Sequence, residues 1–331
     1  MKKALMILCM ALLGGAAMYA QQIAVVSPNG NTDVYQTLDE AINSASDGSV
    51  IYLPGGGSQI KDETKITKRL TIVGVSHKVN ADNADGATIV GGNLWFNAGS
   101  NGSSVMGIYL SGDVNIGEDE AVSNILVRTC NINSVQVKQE ECDGIAINQC
   151  YIRNNSNYGE NNAKITNCIF PSLTNLNGGV IDHNVVTSNT TQHYKIWNGD
   201  SRWEQVCFAS TNNATITNNI LINPASVLYG SNCLSSNNML VGEWGENCET
   251  VEDWSKVIGD ISKGISPVSD FNLKSEKGKG AATDGSDIGI YGGDSFDDNC
   301  LAPIPRIISK KIDEQTDGAG RLTMKISVKA Y

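Results

Sequence analysis

127-VRTCNI-132, 147-INQCYI-152, 165-ITNCIF-170, 181-IDHNVV-186, 216-ITNNIL-221 and 235-SSNNML-240 are six copies of one short pattern. The fourth position is Cys130, Cys150, Cys168, Asn184, Asn219 and Asn238 in turn. Three residues earlier stand Val127, Ile147, Ile165, Ile181, Ile216 and Ser235, and two residues later Ile132, Ile152, Phe170, Val186, Leu221 and Leu240. Successive copies lie 20, 18, 16, 35 and 19 residues apart. Helical repeats need about 30 residues or more and a 3.6-residue apolar period, whereas these units alternate like strands between Asn and Gly corners. The spacing therefore predicts one turn of a coiled chain per unit: an all-β, right-handed parallel β-helix of about ten coils, each roughly 4.8 Å above the last. The fourth position reads as a one-residue left-handed corner, which asparagine tolerates, with amides stacking along the axis. Cys130, Cys150 and Cys168 in the same position read as small buried side chains and free thiols. Cys142, Cys207, Cys233, Cys248 and Cys300 stay open between thiol and disulfide.

An open coil end exposes core and strand edges and needs a cap. Thr37-Leu38-Asp39-Glu40 is a capping box, and Leu38, Ala41, Ile42 and Ala45 fall on one face of the short helix it opens. Further out, Lys2 and Lys3 precede an apolar run from Ala4 to Ala17, with Ala20 before Gln21. That is the pattern of a secretory signal over residues 1–20, too short to span a bilayer. The expected location is secreted, periplasmic or on the surface of a bacterium. The organisation then reads as signal peptide 1–20, strand and capping helix 21–49, β-helix 50–293 and a terminal strand segment 294–331. Loss of the two signal lysines takes the formal charge from −11 to −13. An acidic chain with no Lys/Arg cluster argues against nucleic acid as a partner.

The segments 37-TLDEAINSASDGSVIYLPGG-56, 70-LTIVG-74, 87-ATIVGG-92, 266-SPVSDFNL-273 and 284-DGSDIGIYGG-293 resemble pectin-lyase-like β-helices, over residues 35 to 293. The resemblance implies the fold and, in many relatives, lyase or hydrolase action on acidic polysaccharides. A uronate lyase needs a cation, such as Ca²⁺ held by carboxylates, and an Arg or Lys base. Val180-Ile181-Asp182-His183 is similar to the W-I-D-H segment of pectate lyases, with Val180 where the tryptophan stands, and the Arg-x-Pro-x-x-Arg carrying the family's base is absent. The same residues also read as an ordinary coil, with Ile181 inward and Asn184 in the ladder.

The residue two before each fourth position points outward, which makes Arg128, Asn148, Thr166, Asp182 and Thr217 one polar column. Asp182 and Arg128 are the candidate catalytic pair. A glycoside hydrolase needs two carboxylates, and this column has one. No cofactor is expected, except Ca²⁺ if the protein is a lyase. The 35-residue interval holds an excursion from Thr187 to Asn213 whose His193, Tyr194, Trp197 and Trp203, with Asn148 of the column, are candidate sugar contacts, since aromatic faces suit sugar rings. The excursion also reads as a loop that packs back on the coil. Two functions follow: an exported protein that binds, and in one form cleaves, a polysaccharide on the helix flank, or a non-catalytic surface or adhesive β-helix.

Overall fold

The computed structural model describes residues 22–60, 64–78, 86–187, 191–195, 201–222, 226–259, 269–302, 306–312 and 324–329. The expected signal segment lies outside them. No helix among the described residues is long and apolar enough to cross a membrane.

The chain forms a parallel β-solenoid with three sheets, visited in the same order on every turn. Eight turns visit all three sheets, from Ser49–Tyr52 to Ser226–Ser231, and a ninth begins with Leu234–Ser236 and Met239–Leu240. The regular coil ends at Thr250, so there are fewer coils than the expected ten. Residues 269–302, expected inside the coil up to 293, instead turn back along its outside. Their Asp-Gly and Gly-Gly turns are the physical reason, because left-handed Gly285, Gly289 and Gly293 break any strand.

Strand alternation fixes what faces the core. In the first sheet Ile51, Ile72, Val105, Val127, Ile147, Ile165, Ile181 and Ile216 stack in register and are fully buried. Cys130, Cys150, Cys168, Asn184, Asn219 and Asn238 form the expected inward ladder, each 0% exposed. Asn184 Nδ2 donates to Asn219 Oδ1 at 2.9 Å and Asn219 Nδ2 to Asn238 Oδ1 at 3.0 Å. Each amide also donates to a carbonyl of the preceding coil, Ile165 for Asn184 and Ile181 for Asn219. The cysteines imitate this, with Cys168 Sγ facing the Ile147 carbonyl oxygen at 3.6 Å and Cys150 Sγ that of Val127 at 3.5 Å. The eight described cysteines are free thiols.

One detail of the ladder differs from the sequence reading. The left-handed residue is the one before the ladder: Thr129, Gln149, Asn167, His183, Asn218 and Asn237, with φ between 50° and 58°. The ladder residue must be free to point inward, so the bend falls on its neighbour, whose side chain is thrown outward.

At the N-terminal end, Ile23–Val26 and Thr32–Tyr35 pair antiparallel and extend the first sheet. The helix Leu38–Ser44 follows, with Thr37 Oγ1 accepting from the Glu40 N–H at 3.2 Å. Leu38, Ala41, Ile42 and Ala45 are buried in the main core, as a cap requires. In the terminal segment, Arg306–Ile312 and Met324–Lys329 pair antiparallel.

Candidate functional site: a latched column and an open flank

Arg128, Asn148, Thr166, Asp182 and Thr217 are neighbours in adjacent strands of the first sheet, so the expected outward column exists. Asn148 Nδ2 donates to Thr166 Oγ1 at 2.9 Å, and the Arg128 Nε is buried without a hydrogen-bond partner. Asp182 is fully engaged. Its Oδ2 lies 3.0 Å from His183 Nδ1, and its Oδ1 accepts from Thr217 Oγ1 at 2.9 Å and Asn218 Nδ2 at 2.8 Å. Burial pushes this carboxyl up, but the hydrogen bonds and charge of His183 with the bonds from Thr217 and Asn218 outweigh it, holding Asp182 below the usual carboxylate range.

His183 Nε2 continues the chain to Ser286 Oγ at 3.1 Å, giving Asp182, His183 and Ser286 the order of a hydrolase triad. The hydrogen bonds say otherwise. Ser286 Oγ donates to Asp284 Oδ1 at 2.6 Å and accepts from the Gly293 N–H at 2.9 Å, so its proton is not offered to the imidazole. A nucleophilic serine needs the reverse. His183 is also sealed at 2% exposure beneath Gly292, where a Cβ would collide with the ring.

The cluster is one clip in a series. The segment 269–302 is a strap that runs back along the axis, and the outward-thrown corner residues hold it. Asn237 Nδ2 donates to Ala281 O at 2.8 Å, and Asn218 pairs with Thr283 Oγ1 and N at 2.9 Å each. Asn167 Nδ2 donates to Ile290 O at 2.9 Å and Gly292 O at 2.8 Å, and Gln149 Nε2 donates to Ser295 O. The strap ends near the second turn, where Ser76 Oγ donates to Asn299 O at 3.1 Å. Beneath it Phe271, Ile288, Ile290, Phe296 and Cys300 pack on the outward residues of the second sheet: Ile169, Val185, Ile220 and Met239. Strap and column form a single structural unit.

The excursion stands elsewhere. Thr191–Lys195 pairs antiparallel with Ser201–Asn212, with His193 opposite Trp203 and Tyr194 opposite Arg202. Ser201–Asn212 is itself a member of the third sheet, pairing with Leu173–Leu176 and Ser226–Ser231. The hairpin therefore springs from the corner between the second and third sheets, whereas Asp182 lies beside the corner between the first and second. Trp197 lies outside the described residues. The third sheet's outward column runs Lys65, Trp95, Asn115, Gln136, Asn157, Thr174, Ala209 and Tyr229 in register. The strap does not pack on it. No sequence signal placed the hairpin on this flank, because the excursion's ends show only where the coil is interrupted.

Ca²⁺ takes six to eight oxygen ligands, several of them carboxylate. Among the described residues no group of three or more His, Cys, Asp or Glu side chains could hold an ion, and the one carboxylate of the column already holds three polar contacts. These residues do not fit the ion a lyase would need. The fold and these surfaces define the class, a parallel β-solenoid with one roofed and one open flank. Comparison with protein-family models, curated proteins and solved structures finds no match.

Proposed function

We propose that the protein is an exported, pectin-lyase-like β-solenoid that binds a polysaccharide along its third-sheet flank and does not cleave it. One observation carries this reading: the strand Ser201–Asn212 belongs to the third sheet, so the aromatic hairpin adjoins an outward column of Asn115, Gln136, Asn157 and Thr174. Stacked coils repeat these polar side chains at about 4.8 Å, an array of donors and acceptors for a linear polymer. Aromatic residues of the hairpin would supply stacking faces. The commitment of Asp182 to His183, Thr217 and Asn218 supports the non-catalytic part of this reading.

The test is a screen of the protein lacking residues 1–20 against a panel of polysaccharides. Binding is read by calorimetry, and turnover by unsaturated product and new reducing ends. Binding without either product is expected, with Trp203→Ala weakening it and Asp182→Asn leaving it intact. Turnover lost in Asp182→Asn would refute the non-catalytic reading. Failure of every glycan to bind would favour the other reading, a purely structural or adhesive surface solenoid.

A further inference from the structure

The open flank carries chemistry that narrows the polymer. Trp95 and Asn115 are neighbours in its column. The Trp95 Nε1–H is buried without an acceptor, and so is the Nδ2 amide of Asn115, a residue only 4% exposed. An outward-facing strand position with an unmet buried donor is costly to the free protein, and two in adjacent coils call for acceptor oxygens from outside. The polar contact next to Trp95 in the column is weak. Lys65, the preceding member of the column, reaches Asp119 Oδ1 and Oδ2 at 3.1 and 2.8 Å, an ion pair whose side chains are 41% and 55% exposed. Such a pair opens at little cost.

The same ion pair shows that the loop after Val114–Ile116 leans over the column, and that edge is acidic. Glu118, Asp119, Glu120, Glu140 and Glu141 are exposed there, against Lys138. An open depression of about 690 Å³ lies along Glu120, Lys138, Gln139, Glu140 and Glu141. A polyuronate would meet like charge along this edge, whereas a cationic polymer meets its complement.

Resting on the glycan-binding reading, we infer that the ligand is an amino-sugar polymer. Its ammonium groups lie along the acidic edge, a sugar ring stacks on the Trp95 indole, and hydroxyl oxygens accept from Trp95 Nε1 and Asn115 Nδ2. The ligand takes the place of the Lys65 ammonium at Asp119, so binding exchanges one cation for another.

Calorimetric titration of the protein lacking residues 1–20 with glucosamine, N-acetylglucosamine and galacturonate hexamers, at about 0.02 and 0.2 M salt, tests this. The glucosamine hexamer should bind best, weakening at least tenfold at the higher salt and in the triple variant Glu120→Gln, Glu140→Gln, Glu141→Gln. Trp95→Ala should weaken it roughly tenfold at either salt. The three exposed glutamates are not packing groups, and an unchanged melting curve of the triple variant checks that. Galacturonate binding as well as glucosamine, or a triple variant that binds glucosamine undiminished, overturns the amino-sugar inference while leaving glycan binding in place. If no glycan binds, including the polymers of the wider panel, the underlying reading falls and takes this one with it.

Discussion

The second and third sheets are built by the same coil, yet their outward residues differ where the strap lies. On the second sheet Ile169, Val185, Ile220 and Met239 are no more than 1% exposed because the strap covers them. On the third sheet Gln136, Asn157 and Thr174 stay half-exposed. In a solenoid the inward rows are apolar on every face, so they say nothing about which face is free. The outward rows do: an apolar outward row is a face with a roof, and an amide row is a face left for water or a ligand. The corner residues add the fastening. Each left-handed corner throws its side chain outward, and Gln149, Asn167, His183, Asn218 and Asn237 use that position to grip the strap.

The comparison breaks most sharply at the core. Ile165→Asp places a carboxylate in a fully buried row and should cost on the order of 4–5 kcal/mol or more, so that no folded protein is recovered. Gln136→Asp on the open flank should change stability by no more than about 0.5 kcal/mol. Equal damage in chemical denaturation would show that the inward and outward assignments are mistaken.

Next comes the roof. Ile290→Ala removes a strap side chain that is 1% exposed and should cost about 2–5 kcal/mol in urea unfolding. Because Asn167 also grips the Ile290 carbonyl, hydrogen exchange should quicken at the second sheet before the third. Uniform loss of protection over both sheets would mean that the strap is part of the global core and not a separate cover.

The ladder gives a similar effect confined to one coil. Asn184→Ala leaves the Cys168 N–H and the Ile165 carbonyl without the partners they have now, both buried, at about 2–3 kcal/mol. Asn184→Cys, the residue this position carries in three other coils, should recover part of that loss. No recovery would contradict the equivalence of the two residues.

The smallest expected effect is acid weakening of the clip around His183. Asp182 and Asp284 are both held below the ordinary carboxylate range, Asp284 mainly by the side-chain and backbone hydrogen bonds of Ser286 and, further down, by the charge of His183. A depressed carboxylate contributes stability that is complete above its unfolded value, near 4, and is lost as pH falls through the lower folded value. Wild-type stability should therefore decline below about pH 4, and Asp182→Asn should flatten that decline. A slope unchanged in Asp182→Asn would show that other carboxylates govern the acid limb.

The ladder, the capping helix and the Arg128 to Thr217 column were legible in the sequence because each depends on side-chain type at a fixed interval. The strap was not. Its grip on the coil comes from amide side chains donating to backbone carbonyls such as those of Ala281, Ile290 and Ser295, and a carbonyl carries no sequence identity. The 284-DGSDIGIYGG-293 segment therefore read as the close of the β-helix. For the same reason Asp182 looked free to act on a ligand, since nothing in its own repeat announces that Thr217 and Asn218 of the next coil occupy its Oδ1. The unmet donors at Trp95 and Asn115 belong to side chains that drew no notice in sequence, because outward positions of a strand are polar by default.

Hydrogen exchange with and without a saturating glucosamine oligomer tests the division of faces most directly. Protection is expected to rise in Leu94–Phe96, Val114–Ile116, Val135–Val137 and Ser201–Asn212 of the third sheet, with the strap and Val180–Asp182 unchanged. Protection centred on Val180–Asp182 and the strap, with the third sheet unaltered, would contradict the account.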